Sequence, residues 1–69
     1  MEKKIGFLNK IFEIELQISD IDKEVADVLK WDSFHIMCFM VETEKQFHKK
    51  ITIQQISEIC SVNDLLQLF

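Results

Sequence analysis

Sixty-nine residues are enough for one small hydrophobic core and no more, so the chain is expected to be a single domain spanning residues 1–69. With 48% hydrophobic residues, no proline and a single glycine (Gly6), the composition favours helices and argues against a turn-rich β fold. A net charge of −4 without a basic stripe argues against a nucleic-acid partner, and the longest apolar run, Ile36 to Val41, is six residues, far short of a membrane span.

Ile5, Leu8, Ile11 and Phe12 recur at helical spacing, with Phe7 beside them, which predicts an amphipathic helix over residues 2–14. Its opening, Met-Glu-Lys-Lys, is charged and unlike a signal core, so the expected location is cytoplasmic, with Cys38 and Cys60 as free thiols. From Glu15 to Trp31, charges mix with single apolar residues at Val25, Val28 and Leu29. This stretch reads as a long ordered connection, a kind of loop that is often functional.

Asp32 is a good N-cap for a helix over residues 33–48. Thr52 followed by Gln55 fits a capping box and predicts a short helix ending near Ile59. Ser61 followed by Asp64 fits the acidic version of that signature. A last helix is then expected to run to the C-terminus, with Val62, Leu65, Leu66 and Phe69 on one face. The expected fold class is all-α: three main helices and one short one, with a long loop between the first two.

The helix after Asp32 has more apolar surface than one core contact needs. Ile36, Phe39, Met40 and Phe47 form one stripe, with Thr43 within it; Phe34, Met37, Cys38 and Val41 form another on nearly the opposite side. The first stripe is longer and is assigned to the core. The second is then an exposed strip, and such strips mark binding surfaces. The alternative is a central helix covered on both sides.

The tripeptide Asp32-Ser33-Phe34 opens this helix. A serine there has its hydroxyl at a helix N-terminus, where backbone N–H groups and the helix dipole favour a phosphate. Downstream stand Glu44-Lys45-Gln46-Phe47, then Ile51 in a short loop, then Ser61-Val62-Asn63-Asp64 at the start of the last helix. In order and spacing, from Asp32 to Phe69 without a gap, these residues resemble the acyl carrier protein family. Its members carry Asp-Ser-Leu, Glu-x-x-Phe, a loop isoleucine and Thr-Val-x-Asp at the matching places.

The resemblance implies an acyl-carrier-protein-like four-helix bundle. Its serine, here Ser33, would accept 4′-phosphopantetheine from coenzyme A, and the arm's thiol would hold an acyl or aminoacyl thioester. Asp32 would cap the helix and help the transferase position coenzyme A. The implied partners are a phosphopantetheinyl transferase, an acyl-activating ligase or acyltransferase, and a downstream acyl-using enzyme. The carrier is expected to be a monomer that binds neither nucleic acid nor membrane. Trp31, before the Asp-Ser pair, is a feature of divergent carriers and points to a specialised biosynthetic pathway. The strip Phe34, Met37, Cys38 and Val41, with His35 and Glu42 at its edge, is the expected docking surface.

The remaining residues have plainer readings. His35, Cys38 and Glu42 have ligand chemistry, but without a second cluster they make no metal site. His48 reads as a solvated residue at a helix end, and Cys60 as a small buried hydrophobe. Trp31 either anchors the loop on the core or flanks the arm; anchoring is the commoner use of a buried aromatic. No nucleophile–base pair is present to make the chain an enzyme. The competing functional reading is a small helical interaction module without a prosthetic group.

Overall fold

The computed structural model describes residues 2–69. Five α-helical segments follow one another: α1 (Glu2–Phe12), α2 (Val25–Val28), α3 (Ser33–Phe47), α4 (Ile53–Ser57) and α5 (Val62–Leu66). A 3₁₀ turn, Ile18–Asp20, lies between α1 and α2. The described residues contain no strand, and the fold is all-α.

α1 stops two residues earlier than its periodicity predicts. Glu13 turns left-handed with φ 56°, and the Ile14 N–H reaches back to the Asn9 carbonyl at 3.2 Å. That bond closes the helix in a Schellman geometry. The Asn9 side chain then accepts the Leu16 N–H at 2.7 Å and turns the chain into the connection.

The connection is less irregular than the sequence reading held. It contains both the 3₁₀ turn and the single turn of α2, whose Val25 is buried. The described residues therefore hold five α-helical segments, not four. The connection is also fastened to the far end of the chain. Glu24 and Ser61 form an isolated antiparallel bridge. Val25 N–H donates to the Cys60 carbonyl, Val62 N–H to the Lys23 carbonyl and Asn63 N–H to the Ile21 carbonyl, at 2.8–2.9 Å.

The three N-caps expected from sequence are formed. Asp32 accepts the His35 N–H, Thr52 the Gln55 N–H and Ser61 the Asp64 N–H, the last two within complete capping boxes. α3 ends at Phe47 because His48 takes a left-handed conformation, with φ 56°. His48 is exposed there, as a solvated end residue should be. α4 ends at Ser57, short of Ile59. α5 ends at Leu66 and does not run to the C-terminus; Phe69 leaves the helix line and is buried.

One hydrophobic cluster draws on every α-helical segment, with Leu8, Phe12, Phe39, Val62 and Leu65 fully buried. Burying a side chain such as Phe39 is worth roughly 1.5–3 kcal/mol. Four rings meet at one end of it: Phe7 packs on Phe47 edge-on at 5.0 Å, and Phe69 touches Phe7, Phe39 and Phe47 at 5.1–5.4 Å between centroids. Lys4 Nζ donates to the Leu66 carbonyl at 3.0 Å, at the end of α5, and lies over the Phe69 ring. No helix among the described residues is long and apolar enough to cross a membrane.

Candidate functional site at the head of the longest helix

Ser33 is the first residue of α3 and is exposed. Its position is set by Asp32, whose Oδ1 accepts the His35 backbone N–H at 2.9 Å and faces the His35 ring Nδ1 at 2.8 Å. The His35 backbone N–H, with its imidazole second, holds the Asp32 carboxyl below the usual carboxylate range. Because a carboxylate can only accept, Nδ1 is the donor in this contact.

The two residues that bracket Asp32-Ser33-Phe34 both lean on one buried ring. Trp31 stacks on Phe12 at 5.9 Å and 25°, and His35 stacks on Phe12 at 6.0 Å and 19°. Trp31 is thus half-buried and serves as the loop's anchor. Glu13 stands outside this cluster, 3.8 Å from His35 Nε2 and 3.5 Å from Lys30 Nζ. Its side chain is largely exposed, so these ion pairs add little stability.

An apolar groove of about 440 Å³ starts beside Ser33 and runs between α3 and α4, lined by Ser33, Ile36, Met37, Met40, Ile53 and Ile56. Ser33 supplies its only polar lining side chain. The size lies within the range of small-molecule sites. Ile53 is 69% exposed at the rim. Sequence reading passed over it; the signal was an isoleucine directly after a helix cap, three residues before the inward-facing Ile56.

The expected docking residues divide. Phe34, Met37 and Val41 are 70%, 64% and 51% exposed. Cys38 and Glu42 are half-buried and, with Met37 and Val41, line a shallow depression of about 220 Å³. Glu42 Oε2 also accepts from Gln46 Nε2 at 3.1 Å. His35 lies at the strip's edge with its ring edge-on to Phe34 at 5.3 Å, and stacking on Phe12 leaves its side chain mostly covered. Cys60, expected to be buried, is exposed, because it contributes its backbone and not its thiol to the contact with Val25. Both cysteines are free. No group of three metal-ligating side chains gathers among the described residues.

No protein-family model, curated protein or solved structure matches the chain.

Proposed function

We propose that the chain is an acyl carrier protein, and that Ser33 is the attachment point for 4′-phosphopantetheine. One observation carries this reading. An exposed serine heads the longest helix beside its capping aspartate, and an apolar groove begins at the same side chain. The residues fit the group. The hydroxyl of Ser33 is open to a modifying enzyme, and a phosphodiester there would lie at a helix N-terminus that favours negative charge. Ile36, Met37, Met40, Ile53 and Ile56 could shelter an apolar acyl chain or the arm itself. The prosthetic group would supply a thiol that carries the acyl group as a thioester; the protein would supply presentation and docking. Phe34, Met37 and Val41 form the exposed surface that a transferase, a loading enzyme and an acyl-using enzyme would touch in turn. The pathway is a specialised one in this reading.

The deciding experiment is intact mass after incubation with coenzyme A and a broad-specificity phosphopantetheinyl transferase, beside Ser33→Ala. A single adduct of the phosphopantetheine mass on the wild-type chain, absent from the variant, is the expected result. A folded chain that several transferases leave unchanged would favour the second reading. That reading is a helical interaction module using the strip of Phe34, Met37 and Val41, whose exposure is unusual for large apolar side chains.

A further inference from the structure

The charged and aromatic groups around Asp32 have a geometry that helix capping alone does not require. A helix cap needs only an oxygen facing the N3 backbone N–H. Here the same oxygen, Asp32 Oδ1, meets both the backbone N–H and the ring Nδ1 of His35. The ring that holds it is itself fixed, half-buried and stacked on the fully buried Phe12 at the end of α1. Trp31, on the other side of Asp32-Ser33, stacks on the same Phe12. The Asp32-Ser33 pair is thus held between two residues that share one core anchor. A helix end that frays carries its serine with it, whereas a helix start held this way keeps the backbone of Ser33 in one place.

We propose that His35 is a positioning residue for modification of Ser33: its Nδ1–H holds Asp32 while its ring rests on Phe12, and this fixes how the hydroxyl meets a transferase. The inference rests on the carrier reading. In the step concerned, Ser33 Oγ forms a new bond to the phosphorus that bears the pantetheine arm. The pyrophosphate P–O bond of coenzyme A breaks, 3′,5′-ADP leaves with the electron pair, and the serine proton passes to a base of the transferase. His35 touches none of the reacting atoms. It acts through Asp32, by removing the orientational search that would otherwise slow attack.

Two isosteric replacements separate this role from a merely structural one. In His35→Asn the side-chain amide nitrogen falls near the place of Nδ1 and can still donate to Asp32; in His35→Gln it falls near Nε2 and cannot. Both lose the stacking, and the thermal midpoint of each shows that the rates compare folded chains. The rate of adduct formation with coenzyme A and the transferase should nevertheless differ. We expect kcat for His35→Gln to fall about tenfold with KM changed less than about twofold, and His35→Asn to recover most of that loss. A second readout needs no transferase: ring ¹⁵N shifts of the unmodified protein should report the Nδ1–H tautomer of neutral His35. Equal rates for the two variants, or an Nε2–H tautomer in the wild type, would overturn the positioning role. A wild-type chain that takes no adduct from several transferases would overturn the carrier reading itself, and the two failures are therefore distinct.

Discussion

On one side of α3, Phe39 and Thr43 are fully buried and Ile36, Met40 and Phe47 are half-covered; on the other side, Phe34, Met37 and Val41 are more than half exposed. Both sides are apolar, so hydrophobicity does not decide which one is covered. The available partners do. α1 brings Phe7 and Phe12 against Phe39, and Phe69 closes the same side from the chain's end. α4 and α5 are five residues each and are too short to cover the second side as well. On that second side Phe34, Met37 and Val41 stay open to solvent.

The comparison can be broken most severely at Phe39. Phe39→Ala removes the ring that Phe7, Phe12 and Phe69 share, and should cost about 3–5 kcal/mol in chemical denaturation. For a domain of this size that loss approaches the whole folding free energy. A cost below about 1 kcal/mol would mean that this side of α3 is not the core.

Thr43 sharpens the same side. Its hydroxyl is fully buried and finds no hydrogen-bond partner among the described residues. Thr43→Val keeps the shape and removes the unsatisfied group, so it should stabilise by about 1 kcal/mol. On a domain of this size that is a rise of roughly 4–8 °C in Tm. An unchanged or lowered Tm would indicate that the hydroxyl does have a partner in solution.

The open side should tolerate what the closed side cannot. Met37→Glu and Val41→Glu are each expected to change stability by less than about 0.5 kcal/mol, because both side chains are more than half exposed. On the proposed carrier reading they should weaken turnover by acyl-using enzymes. Unfolding of either variant would place this strip in the core and reverse the comparison.

The smallest effect is expected at the helix head. The Asp32 carboxyl, held down first by the His35 backbone N–H, lies below its ordinary value of 3.8. Its ionised form therefore favours the fold. That contribution is complete above the ordinary value and is lost as pH falls through the lower folded value. Thermal midpoints followed from about pH 5 to about pH 2 should fall, and should fall less steeply for Asp32→Asn than for the wild type. Superimposable slopes would show that this bond does not couple to folding.

Much of this was legible in the sequence because it depends on neighbours in the chain. Asp32, Thr52 and Ser61 cap their helices through groups three residues on, and the longer of the two apolar stripes of α3, with Phe39 and Thr43, is the one that the fold covers. What sequence reading missed depends on distant partners or on backbone. α2 has no side-chain cap to announce it, and Val25 is held by a backbone bond to Cys60, thirty-five residues away. α1 ends at a glutamate in a left-handed conformation where a glycine would have marked the stop. His35 looks like a surface residue until α1 brings Phe12 against its ring. The exposed groove wall at Ile53 likewise exists only because α4 lies beside α3.

Trp31 is the only tryptophan of the chain, and there is no tyrosine. Light near 295 nm therefore excites one indole alone, two positions before Ser33 and stacked on the ring that also supports His35. A group that is attached to Ser33, or docks beside it, and reaches that indole is read in its emission. The protein thus contains an intrinsic optical probe at the point where its proposed chemistry takes place.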